Sequence, residues 1–185
     1  MTRLLISLAI SILITGCQSL SEPVDFSHPK SKPPVGTVVQ LNETLIFEQG
    51  TSRTYIQNGK AKSFKEVDDR APWCQFSRYE PRAALKTERS AVPDRFTITS
   101  SSQRMEMVSA KPFPILAANV IIPSMLDNDG QNAQTLATIM KIKSDQQPEI
   151  AEFKCAVFND PYMENFVSVN QIIDTLGNVV TLKFQ

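Results

Sequence analysis

Hydrophobic and polar positions alternate through most of this chain, and one early stretch breaks the rule. Leu4 to Ile14 is apolar apart from two serines, with no charge and no proline. From Thr37 onward the period is two. Thr37 to Leu41 and Thr44 to Phe47 are rich in β-branched and aromatic residues, are broken at Asn42-Glu43, and read as strands. Arg53 to Gln57 and Lys60 to Phe64 flank Asn58-Gly59, the dipeptide that best suits the two positive-φ positions of a tight hairpin. Lys60 and Lys62 alternate with small residues, as on an exposed sheet edge. Trp73 to Tyr79 reads as a strand with Cys74, Phe76 and Arg78 on one face and Trp73, Gln75, Ser77 and Tyr79 on the other, both partly covered. Glu80 to Pro93 is polar and reads as a loop whose Arg82, Lys86 and Arg89 form a solvated face rather than an anion site.

Asp94 to Ala110 is the longest alternating run. Phe96, Ile98 and Ser100 fall on one face, Thr97, Thr99 and Ser101 on the other, with a bulge expected near Ser101-Ser102 before Met105 and Met107. Lys111 to Pro123 is apolar and bounded by prolines; it reads as a buried strand or as an apolar loop that meets a membrane or a partner. Leu136 to Lys143 and Ile150 to Phe158 form a second hairpin, with Phe153, Cys155 and Val157 on its apolar face. One helix follows. Ser168 and Gln171 spell a capping box, Val169, Ile172, Ile173 and Leu176 form an apolar stripe, and Gly177 is placed to stop the helix in the left-handed conformation. Val179 to Phe184 closes the chain as a strand. The predicted fold is mainly β: an antiparallel sandwich or partly open barrel with one helix toward the C-terminus.

Composition adds limits rather than chemistry. The chain has 185 residues, enough for a single domain. Setting Arg3 aside with the leading stretch leaves 18 Lys and Arg against 19 Asp and Glu. That balance offers no net positive charge to hold nucleic acid, which is excluded as a partner. No cofactor motif is read.

The leading stretch carries an address. Arg3 and the amino terminus precede an apolar run of signal-peptide length, well short of the roughly 20 residues a spanning helix needs. The run ends in Ile14-Thr15-Gly16-Cys17, which resembles the lipobox of bacterial lipoproteins. The resemblance implies cleavage between Gly16 and Cys17, lipidation of Cys17 and a membrane anchor. Residues 1–16 would be the signal, 17–34 a lipidated flexible tether and 35–185 a single β-rich periplasmic domain. Gln18, where an aspartate is associated with inner-membrane retention, implies the outer membrane and its periplasmic face. The tether is rich in serine and proline and at about 3.1 Å per residue reaches ~50 Å. Its Ser27-His28-Pro29-Lys30 matches the Ser-x-x-Lys spelling of penicillin-binding enzymes, but Pro29 and the setting oppose the helix that motif opens.

With Cys17 lipidated, Cys74 and Cys155 remain in an oxidising compartment. They are expected to meet across the core as a disulfide, the alternative being two buried thiols. Pro34-Val35-Gly36-Thr37, Tyr55 to Gly59, Pro72 to Phe76 and Phe153-Lys154-Cys155 loosely resemble uncharacterised proteobacterial envelope lipoproteins. That group implies no activity, substrate or catalytic residue.

Candidate chemistry is sparse. Asp127-Asn128-Asp129-Gly130 has the flavour of a calcium loop, but an EF-hand frame would put Met125 and Leu136 where carboxylates belong. No metal is expected there, nor zinc, with one histidine in the chain. The Ser100-Ser101-Ser102 triplet has no recognisable base. The reading that follows is a non-enzymatic binding or accessory module with an envelope protein partner. Two alternatives stand beside it. One is a carrier of a small apolar ligand, gated by Lys111 to Met125. The other is an envelope hydrolase using Asp68, Asp69, Asp127 or Asp129.

Overall fold

The computed structural model describes residues 25–68, 70–107, 134–158 and 165–185. Among them are ten strands: β1 (Val38–Leu41), β2 (Leu45–Phe47), β3 (Arg53–Gln57), β4 (Lys60–Lys62), β5 (Trp73–Arg78), β6 (Arg89–Ala91), β7 (Asp94–Met107), β8 (Gln134–Lys143), β9 (Ile150–Phe158) and β10 (Val180–Lys183). One α-helix, α1 (Val169–Leu176), precedes the last strand. Eight strands form one antiparallel sheet in the order β10-β1-β7-β8-β9-β5-β3-β4, curled into a half-barrel, while β2 and β6 pair separately. The mainly β architecture with a late helix is the one the alternation predicts.

The inner face of the sheet carries the main core. Phe76, Phe96, Phe153, Ile98, Met140 and Ile56 are fully buried there. The ring of Phe76 lies 4.9 Å from that of Phe153 and 5.9 Å from that of Phe96. Helix α1 packs against β3, β5 and β10 and adds Ile172 and Leu176 to the same cluster. Those side chains belong to the core on the concave side of the sheet. The Lys111 to Met125 segment and the Asp127–Gly130 turn lie outside the described residues, as does the lipobox.

Local rules succeed where the determinants are local. Asn58 and Gly59 take φ of 54° and 68° and join β3 to β4. The capping box forms: Gln171 N–H donates to Ser168 Oγ, and Ser168 N–H donates to Gln171 Oε1. Gly177 ends the helix with positive φ, 52°, but with ψ of −130° rather than the left-handed value expected. The reason is a close approach. A Cβ on Gly177 would fall 2.7 Å from Gly59 Cα, and Gly59 N–H donates to Thr175 O at 2.9 Å. Two glycines therefore lock the first hairpin onto the helix end.

Long-range register corrects four expectations. The bulge in β7 lies between Ile98 and Ser100, not at Ser101-Ser102, because Ile98 pairs with Ile142 and Ser100 with Lys141. Downstream, the inward phase passes to Gln103, whose Nε2 donates toward Thr138 Oγ1. Part of the loop from Glu80 to Pro93 is strand β6, which pairs with β2. Arg89 is not a solvated cation: it is ion-paired with Glu80, which also takes Arg78 at 2.7 Å. Finally, Cys74 and Cys155 do not meet across the core. They are direct partners on neighbouring strands β5 and β9, joined as a disulfide with Cα atoms 4.0 Å apart. That spacing is that of a non-hydrogen-bonded antiparallel pair, where facing side chains come closest.

The part of the expected tether that is described, 25–34, lies against the body. Phe26 stacks on Phe184 with centroids 4.5 Å apart, and Pro33 is buried. Asn170 N–H donates to Phe26 O, and Val169 N–H to Ser31 Oγ. These are first-turn donors of α1 that the helix itself cannot satisfy. Ser27-His28-Pro29-Lys30 is an exposed turn there, with Ser27 Oγ donating to Asp25 Oδ1 and Lys30 N–H to His28 Nδ1.

Candidate binding hollow on the outer face of the sheet

Strand β5 is buried on both faces, since Trp73 to Ser77 all lie out of solvent. Its inner face belongs to the core. Its outer face presents Trp73, Gln75 and Ser77 among the outward side chains of β3, β9, β8 and β7. The cross-strand rows follow from register. Tyr55, Gln75, Lys154 and Ile139 stand in one row, and Trp73, Ala156, Ala137 and Arg104 in the next. Tyr55, Val67, Trp73, Ala137, Ile139 and Ala156 make a second, smaller apolar cluster. Trp73 meets Tyr55 edge-on at 5.7 Å, and Tyr55 meets Phe64 at 5.5 Å.

Beside this cluster lies a hollow of about 760 Å³, lined by Tyr55, Trp73, Gln75, Tyr79, Glu106 and Lys154 among others. The size is that of a small-molecule site. Apart from exposed Arg53, the charged residues of its lining are paired. Lys154 Nζ donates to Glu106 Oε2 at 2.9 Å and lies 5.2 Å from the centre of the Trp73 ring. Arg104 reaches the other oxygen of Glu106 at 2.8 Å. Lys141 Nζ donates to Glu152 at 2.7 Å and to Tyr79 Oη at 3.0 Å. Burial alone would push the Glu106 carboxyl up, but the hydrogen bonds and charges of Lys154 and Arg104 outweigh it and hold it below its usual range. The Lys141 ammonium is pushed up, first by its bond to Glu152 and then by Tyr79. Burial raises the Tyr55 phenol, against a smaller opposing pull from Arg53.

One group in the hollow lacks what the others have. Gln75 is 1% exposed. Its Nε2 donates to Ser77 Oγ at 3.0 Å, but its Oε1 is buried with no hydrogen-bond partner among the described residues. Because a serine hydroxyl can accept or donate, turning the amide over satisfies Oε1 only by orphaning Nε2. A buried polar atom left unsatisfied costs roughly 1–3 kcal/mol, so its presence asks for a reason.

The residues singled out from sequence fare differently. Cys74 and Cys155 come together as a structural pair. Asp68 is an exposed turn residue whose Oδ1 accepts from Arg70 N–H. Asp69, Asp127 and Asp129 lie outside the described residues, as do Gly16 and Cys17. Among the described residues no group of three or more His, Cys, Asp or Glu side chains is placed to hold a metal ion. Sequence reasoning placed Trp73 and Gln75 on one face but had no means of setting Tyr55, Lys154 and Glu106 beside them. No protein-family model, no curated protein and no solved structure matches the chain.

Proposed function

We propose that this protein is a lipid-anchored envelope lipoprotein whose sheet-rich body is a non-enzymatic binding module, with the outer-face hollow as its binding site. The observation that carries the binding reading is the hollow itself, with a buried carboxamide whose oxygen has no hydrogen-bond partner among the described residues, set beside aromatic rings and ion pairs. The address rests on the lipobox resemblance at Cys17, and the Cys74–Cys155 bond supports an oxidising compartment. The seating of residues 25–34 shortens the leash. Between Cys17 and Asp25, a fully extended chain spans at most ~25–30 Å, so the body works close to the membrane surface.

Mass spectrometry of the native product tests the address: an acylated amino-terminal cysteine is expected, and an intact leader or a bare Cys17 thiol would refute it. Crosslinking pulldown from the envelope tests the module. The expected result is a partner captured by the native chain and lost when the hollow is altered at Tyr79. An identical capture by both would move the binding site elsewhere.

A further inference from the structure

Resting on that reading of the hollow, we propose that its ligand is a neutral oligosaccharide. The argument is one of elimination by chemistry. An anion would need cations to spare, yet Lys154 and Arg104 are both held by Glu106 and nearby Lys141 by Glu152 and Tyr79, which leaves, among the described lining residues, only exposed Arg53, beside the Tyr55 phenol, without a carboxylate partner. A cation meets the same obstacle from the other side, because both carboxylates already carry ammonium or guanidinium partners. A purely apolar ligand would bury these ion pairs further and leave Gln75 Oε1 as unsatisfied as before, at a cost in desolvation.

Hydroxyl groups fit where charges and hydrocarbon do not. A sugar hydroxyl donates and accepts at once. It can give its proton to Gln75 Oε1 and take a hydrogen bond from an ammonium without displacing the carboxylate beside it. Gln75 Oε1 is buried and has no protein partner among the described residues, so a hydroxyl that reaches it supplies a hydrogen bond the fold does not. Reaching it needs a small swing of a row neighbour, Tyr55 or Lys154. The C–H faces of a pyranose need aromatic surface, and Tyr79 and Phe64 supply it at the rim, 61% and 43% exposed. A hollow of about 760 Å³ has room for a few sugar rings.

The chain contains one tryptophan, Trp73, and it lines the hollow. Its fluorescence therefore reads the site directly. The full-length protein, in a detergent whose headgroup is not a sugar, is titrated with an N-acetylglucosamine tetramer and with maltotetraose. A sulfated oligosaccharide and a polyglutamate peptide serve as charged probes. The expected result is a saturable change in Trp73 emission with a neutral probe. In Gln75→Leu the affinity falls about tenfold while the unfolding midpoint holds or rises. Tyr79→Ala, at an exposed position, weakens binding as well and covers the case in which the Gln75 variant does not fold.

Three outcomes would overturn the inference. Neutral probes could leave the emission flat. The charged probes alone could shift it, which would keep the hollow as a binding site and make its ligand an anion. Both variants could titrate like the native chain. The wider binding reading is judged separately, by the pulldown, so its failure and the failure of the sugar class are told apart.

Discussion

The two faces of strand β5 are equally buried and chemically opposite. Cys74 and Phe76 point into the main apolar core, beside Phe153, Phe96 and the disulfide partner Cys155. Trp73 and Gln75 point the other way, among ion pairs, aromatic rings and an amide that is not satisfied. Folding rewards the first arrangement outright, because apolar area leaves water at roughly 25 cal/mol per Å². The second contains an element that folding alone would discard. Under the proposed function, that unsatisfied amide is where the outer face departs from a purely structural one.

The contrast can be broken most severely from the inner side. Phe153→Ala, which empties the centre of the Phe76–Phe153 contact, is expected to cost about 3–5 kcal/mol, measured by denaturant unfolding of the full chain. Replacing both Cys74 and Cys155 by alanine should cost about 2–4 kcal/mol. The test is the shift in unfolding midpoint against the native protein under non-reducing conditions; no shift would make the staple redundant. Gly177→Ala forces a Cβ against Gly59 at positive φ and is expected to lower stability by roughly 1–3 kcal/mol, read as a drop in melting temperature.

Two smaller effects sharpen the comparison. At one end of the sheet, Asp94 accepts hydrogen bonds from Ser144, Gln147 and Arg95 N–H. Burial would raise its carboxyl, but those bonds outweigh it and hold it below the ordinary 3.8. A carboxyl more acidic folded than unfolded stabilises fully above its unfolded value, and that contribution drains away as pH falls through the folded one. The stability gap between the native chain and Asp94→Asn should therefore be widest near neutrality and narrow below pH 3.8. Gln75→Leu is expected to change stability least of all, within about 1 kcal/mol and in the stabilising direction if either. A large loss there would mean that the amide is structural after all.

What the sequence displays and what it hides divide along one physical line. Asn58-Gly59, the Ser168–Gln171 box and the hairpin of β8 with β9 depend on residues a few places apart, and each is legible in the chain. The bulge in β7 is fixed by Lys141 and Ile142, some forty residues away. Strand β6, at three residues, is too short to show a period and exists because β2 lies beside it. The cysteines were rightly joined but misplaced, since alternation reports which face a residue takes and not which strand lies next to it. The hollow is hidden for the same reason: its row from Tyr55 through Gln75 to Lys154 spans three strands whose adjacency no local pattern encodes. The docking of Phe26 on Phe184 joins the two ends of the described chain and was likewise out of reach.

The Cys74–Cys155 bond ties together positions 81 apart in the chain. Everything between them is thus part of a covalent ring. A protease that nicks the backbone at any one point between the two sulfurs would release nothing: the pieces would migrate as one species until a reductant was added. If the proposed anchor at Cys17 is present, that closure means that a single cut within the ring leaves the body attached to it.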